Sequence, residues 1–243
     1  MNEDIVYEIT FNTVKNVVVS TNSATMNYTI KGLSWEYEII YDEQLANSVS
    51  MAYQSGKAFL YDHVAFLKKD ILNKTDTIYS ANINMPRRSI KGVLLLFENP
   101  FTAGERNSET FPFVNISKLD ITIEGMVNKI YAQGFKPYQH FQEAKKFFLS
   151  EKQKETNSSD NDVYQFYGSD KYCLWLDLRT TEDNNIHGSG YRLVNTKDGI
   201  QMQLTLNNSS NDHIKGDTFN VYIFVVADAQ LNIVNKQVQG ILY

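Results

Sequence analysis

The chain has 243 residues, 42% hydrophobic and 21% charged, with a formal charge of −5 at pH 7. That is enough apolar content to bury a real core, which excludes a disordered or fibrous chain. The acidic balance excludes broad electrostatic coating of nucleic acid, though not a protein that surrounds nucleic acid without gripping it. A single cysteine, Cys173, excludes an intrachain disulfide and any Cys-rich metal site.

In chain order, MNEDIVYEITF lacks a basic n-region and an apolar h-region, so it is not read as a signal peptide. IVYEITF and VKNVVVS are read as strands within residues 1–32, an N-terminal extension or extra strands ahead of a domain spanning residues 33–243. WEYEIIYD sets Trp35, Tyr37, Ile39 and Tyr41 against Glu36, Glu38 and Asp42, a period of two that predicts a strand. DEQLANSVSMAYQSG opens on the cap-like Asp42 and carries Leu45, Val49 and Ala52 at helical spacing, which predicts a short helix near 43–54. His63, in YDHVAF, is read as a core or interface histidine.

MPRRSIKG gathers Arg87, Arg88 and Lys91 into a short basic cluster. It is read as a solvated strand entry, with contact to an acidic neighbouring subunit or nucleic acid as the functional alternative. IKGVLLLFE then reads as a strand, residues 98–113 as a long loop, and KLDITIEG as another strand with Leu119, Ile121 and Ile123 inward. PYQHFQEAKKFFLSEK, with Pro137 at a favoured first helical position, predicts a second helix, and ETNSSDND after it reads as a mobile surface loop. KYCLWLDLR, IQMQLTL and TFNVYIFVVA complete at least eight strands. VLLLF and VYIFVVA are far shorter than the ~20 residues of a membrane-spanning helix, so no membrane span is expected. Strands with few helices between them predict an all-β, antiparallel sandwich or barrel in a reducing compartment.

NNIHGSGYRLVN, residues 184–195, is the most enzyme-like stretch. A dinucleotide fingerprint would need a third glycine at 193, where Leu193 stands, and a helix after it; a nucleophile elbow would need glycines at 187 and 191, where His187 and Tyr191 stand. The expectation is therefore structural: Gly188 and Gly190 supply positive φ or close backbone approach at a strand connection. His63, His140, His187 and His213 lack metal-ligand spacing, and Asp177 with Arg179 reads as a surface or interface ion pair. No catalytic residue, cofactor or metal site is nominated. A carbohydrate- or ligand-binding sandwich remains the rival class, with Trp35, Trp175 and surface tyrosines as stacking platforms.

RRSIKGVLLLFENPF, ITIEGMVNKIYAQG, LWLDLRTTEDNNIHGSGYRL and FVVADAQLNI, in this order over roughly residues 33–234, resemble the C-terminal jelly-roll of hexon-like (double jelly-roll) major capsid proteins. The likeness is to those of Polinton/Maverick and adintovirus-like elements. The resemblance implies a jelly-roll β-sandwich with a few short inserted helices, a non-enzymatic virion shell protein. It also implies self-association into trimers that tile a shell around double-stranded DNA with other capsid proteins, without sequence-specific nucleic-acid contacts. Localisation would be the virion, after synthesis in the host cytoplasm and assembly in the nucleus. Apart from that resemblance, the residues themselves offer Arg87, Arg88, Asp177 and Arg179 as candidate interface positions. Family members carry two jelly-rolls, and this length suits one.

Overall fold

The structure is a computed structural model that describes residues 8–11, 14, 27–36, 41–99, 111–128, 137–148, 172–181, 183, 186–193, 199–207, 216–235 and 237–243. Its strands are β1 (Lys57–Asn73), β2 (Ile78–Ile83), β3 (Arg87–Glu98), β4 (Ile116–Ile123) and β5 (Met126–Asn128), then β6 (Cys173–Asp177), β7 (Tyr191–Leu193), β8 (Ile200–Leu206), β9 (Thr218–Val234) and β10 (Gln237–Leu242). The described residues also include helices α1 (Glu43–Gln54), ahead of β1, and α2 (Pro137–Phe148), between β5 and β6. The chain divides into two compact units, one formed by residues 61–100 and 109–228 with Tyr243, the other by residues 1–60, 101–108 and 229–242.

The larger unit is a sandwich. One sheet runs β2-β8-β4-β5, and the other runs β1-β9-β3-β6 with β7 also on β3. Period-two alternation does the sorting. In β8, Ile200, Met202, Leu204 and Leu206 are buried while Gln201 and Gln203 face water. Register carries that alternation across the sheet, placing Ala81, Met202 and Ile121 in one row and Ser80, Gln203 and Asp120 in the next. The opposing sheet contributes Val93, Leu95, Phe97, Leu174, Leu176, Val221, Ile223 and Val225 to the same apolar cluster.

The second face of the larger sheet is also covered in part. Trp175 and Val226 are buried with Ala144 of α2 in a separate cluster, flanked by Leu94 and Cys173. Burial pushes the Cys173 thiol up to about 12, so it packs as a small hydrophobe and not as a nucleophile. His140 of α2 lies against Tyr172, its Nδ1 2.7 Å from the phenol oxygen. Burial lowers the His140 pKa from 6.5 to about 3. The unfolded chain takes up that proton near pH 6.5 and the folded chain does not until about 3. Stability is therefore whole above pH 6.5 and declines as pH falls toward 3, by up to about 1.4 kcal/mol per pH unit from this group. Denaturant titrations between pH 7 and 4 should show a shallower decline in His140→Gln than in the parent.

In the smaller unit, α1 begins where expected. Asp42 caps it, accepting a hydrogen bond from the Leu45 amide at 3.0 Å. None of its residues is buried, and Leu45, Val49 and Met51 are exposed. β10 folds back on the end of β9 in antiparallel register, Gln237 opposite Val234 through Leu242 opposite Gln230.

The expected strands KLDITIEG, KYCLWLDLR, IQMQLTL, IKGVLLLFE and TFNVYIFVVA all form. Glu8–Phe11 and the described ends of WEYEIIYD (Trp35, Glu36, Tyr41, Asp42) are not in strands; the rest of both segments, VKNVVVS beyond Val14, residues 155–162 and most of residues 98–113 lie outside the described residues. β1 was not anticipated. It is an edge strand with most side chains exposed, and Lys68-Lys69-Asp70 interrupts the alternation that would have announced it.

Candidate functional site

The most concentrated chemistry is a buried ion cluster beneath residues 187–190. Its centre is Asp228 on β9, 3% exposed, and Lys91 on β3, 2% exposed. The ladder between these strands shifts register between Ile90 and Gly92, which pair with Ala227 and Val226, so Lys91 is an extra residue in a bulge. A bulge re-aims a side chain, and here the amine is brought to two carboxylates. Lys91 Nζ stands 2.6 Å from Asp62 Oδ1 on β1 and 3.2 Å from Asp228 Oδ1. His187 Nδ1 lies 3.0 Å from the same Asp228 oxygen. The other oxygen, Oδ2, accepts from the Ser89 hydroxyl and from the Gly188 amide at 2.8 Å. Ser89 Oγ in turn accepts from the Gly190 amide at 2.8 Å, and Ser189 O accepts from the Thr180 amide at 2.8 Å.

Both glycines act through geometry, in different ways. Gly188 has φ +84°, the left-handed region, with open space where a side chain would begin. A Cβ on Gly190 would stand 2.5 Å from the Ile90 carbonyl, so that position serves close backbone approach. Gly188→Val should cost about 1–2 kcal/mol from the left-handed backbone alone. Ser189→Ala should be within about 0.5 kcal/mol of the parent, since Ser189 Oγ is buried with no hydrogen-bond partner among the described residues. Urea melts of the two variants check both.

The cluster does not meet the test for a Ser-His-Asp nucleophile. An activated serine must be hydrogen-bonded to its base. Among the described contacts His187 faces Asp228 through Nδ1, and Ser89 reaches the carboxylate directly. No group of three or more His, Cys, Asp and Glu side chains among the described residues could hold a metal.

The basic cluster expected at Arg87, Arg88 and Lys91 is not a common surface patch: Lys91 turns inward to the carboxylates, because an amine so placed needs a counter-charge. Arg87 is half-buried with its guanidinium 4.3 Å from the Tyr243 ring centre, and Arg88 is exposed. Asp177 and Arg179 pair as expected, Nε to Oδ1 at 2.9 Å. The Arg179 side chain is 0% exposed, so the pair is not a solvated surface bridge. Trp175 is fully buried under α2 and cannot be a stacking platform, whereas Trp35 is 55% exposed. His63 sits edge-on to Tyr243, and His213 lies outside the described residues.

Asp62, Ser89 and Asp228 were missed by sequence reasoning. A signal did exist for Asp228 and Lys91: each is a charge inside an apolar run, VVADA and IKGVLLL, where a charge must find a buried partner.

Two facing antiparallel sheets with short inserted helices define a jelly-roll β-sandwich. No protein-family profile matches the sequence, and no curated protein matches it either. Among solved structures, the chain is similar to PBCV-1 VP54, in a crystal structure fitted into a reconstruction of the virophage Sputnik. That likeness has TM-score 0.52 and 12% identity over 83% of this chain and 54% of that one. A quasi-atomic model of the PBCV-1 virus capsid matches with TM-score 0.47 and 10% identity, over 82% of this chain and 54% of that one. The mavirus major capsid protein matches with TM-score 0.38 and 11% identity, over 77% of this chain and 42% of that one. The chain thus spans about half the length of the structures it matches.

Proposed function

We propose that this chain is a structural shell subunit of a virus or virus-like element, a non-enzymatic jelly-roll that self-associates into capsomers around DNA. The observation that carries the reading is the sandwich itself, which follows PBCV-1 VP54 over 83% of this chain. The hexon-like capsid motifs in the sequence support it independently. Each of the four stretches that carry the resemblance falls at least partly on a described strand. The polar groups that looked most like chemistry are used in fastening the 187–190 turn to β3 and β9. A trimer with other capsid proteins as neighbours, residence in the virion, cytoplasmic synthesis and nuclear assembly complete the proposal. No helix among the described residues is long and apolar enough to cross a membrane.

Light scattering on a sizing column tests the self-association: the reading expects a species of three chains, each 27.9 kDa. A protein that stays monomeric as concentration rises would count against it. The rival reading, a carbohydrate- or ligand-binding module, keeps one favourable feature. A polar groove lined by Ser80, Asn82, Asp120, Thr122, Gln201 and Gln203 lies along the β2-β8-β4 sheet. Glycan binding that is lost on Gln203→Ala would favour that rival.

A further inference from the structure

Lys91, Asp228 and Asp62 stand on three neighbouring strands, β3, β9 and β1, with β9 in the middle. The flanking strands carry an amine and a carboxylate already in contact at 2.6 Å, and the middle strand carries a second carboxylate 3.2 Å from the same amine. The Lys91 and Asp228 side chains are each 2% exposed, and that of Asp62 is 42% exposed. An ion pair by itself calls for no third member. A buried acid-base group touching the amine of a pre-positioned amine–carboxylate pair is the set of parts that amide formation needs. We infer that Lys91 and Asp62 condense into a side-chain amide that ties β1 to β3 across β9, with Asp228 as the proton-transfer group.

The step balances without any added reagent. The Lys91 ammonium gives one proton to Asp228, which frees its lone pair. The amine attacks the Asp62 carboxyl carbon; a nitrogen–carbon bond forms and a carbon–oxygen bond breaks. The departing oxygen takes the proton held by Asp228 and one more from the nitrogen, and leaves as water. An ammonium and a carboxylate thus become one amide and one water, with no change of oxidation state.

The surroundings suit each part. Ser89 and the Gly188 amide hold Asp228 through Oδ2, which leaves Oδ1 facing the amine. His187 Nδ1, 3.0 Å from Oδ1, offers a second station for the proton. A neutral amide relieves the desolvation cost of the buried charge. The exposed side of Asp62 gives the water an exit. This inference does not depend on the shell reading.

Intact mass of the denatured, purified chain tests it. The expected result is a mass about 18 Da below the sequence sum, with a proteolytic fragment that joins the Asp62 and Lys91 peptides. Lys91→Arg and Asp62→Ala should have their full sequence masses, and Asp228→Asn should too if it folds. Asp62 is half-exposed, so its variants should fold even if Asp228→Asn does not. Asp62→Asn should lose about 17 Da instead, because ammonia replaces water as the leaving group. A parent chain at full mass overturns the inference. So does a deficit of about 18 Da with no joined peptide, which would mean dehydration elsewhere.

Discussion

Asp228→Ala is expected to destabilise the chain by about 3–5 kcal/mol, because it strands the buried Ser89 hydroxyl and the Gly188 amide, at about 1–3 kcal/mol each, and leaves Lys91 with Asp62 as its remaining carboxylate. Asp228 is 3% exposed and gathers Lys91, His187, the Ser89 hydroxyl and the Gly188 amide on its two oxygens. Its loss strands several donors at once, each of which carries its own desolvation cost. Asp228→Asn keeps an oxygen for Ser89 and Gly188 but gives up the charge, so its cost should fall between alanine and the parent. Urea unfolding followed by far-ultraviolet circular dichroism measures both. An alanine variant within about 1 kcal/mol of the parent would mean the cluster contributes little to holding the 187–190 turn.

Trp175→Ala should have a comparable effect, about 3–5 kcal/mol, for a different reason. Trp175 is 0% exposed and fills the space between β6, Val226 and Ala144 of α2. Its ring also lies on Gly92, where an added Cβ would come within 2.4 Å of Cζ2. The hole left by alanine is walled by strands that cannot collapse easily, and the cost rises with the cavity that remains. Helix α2 loses a main apolar contact, so hydrogen exchange over residues 137–148 should speed up more than exchange in β8. Uniform acceleration across the chain would instead show α2 and the sandwich unfolding together.

How much of this was legible depended on where each residue sits. IQMQLTL and KLDITIEG announced β8 and β4 because one face of each meets the core and the other meets water. CLWLD was legible for the same alternation, although Trp175 meets α2 on the face that could have been read as solvent. β1 escaped because most of this edge strand is exposed and Lys68-Lys69-Asp70 breaks the alternation of the inward face that Leu67 and Leu72 mark. The glycines of HGSG read as geometry because the missing third glycine and missing helix removed the catalytic alternatives. Their anchor was not readable. Asp228 lies 40 residues from Gly188 and 139 from Ser89, and only the sheet order brings them together. Lys91 was placed in a solvated patch because it neighbours two arginines in sequence; the bulge at Ile90–Gly92 turns it inward, and bulges leave little trace in a hydropathy pattern.

We propose that this sandwich is a building block of a shell. Electron microscopy of the purified chain at increasing concentration tests it most directly. A shell subunit should give discrete particles with threefold symmetry and a six-sided outline that tile into larger arrays. Particles of single-chain size at every concentration, with no symmetric assemblies, would contradict it.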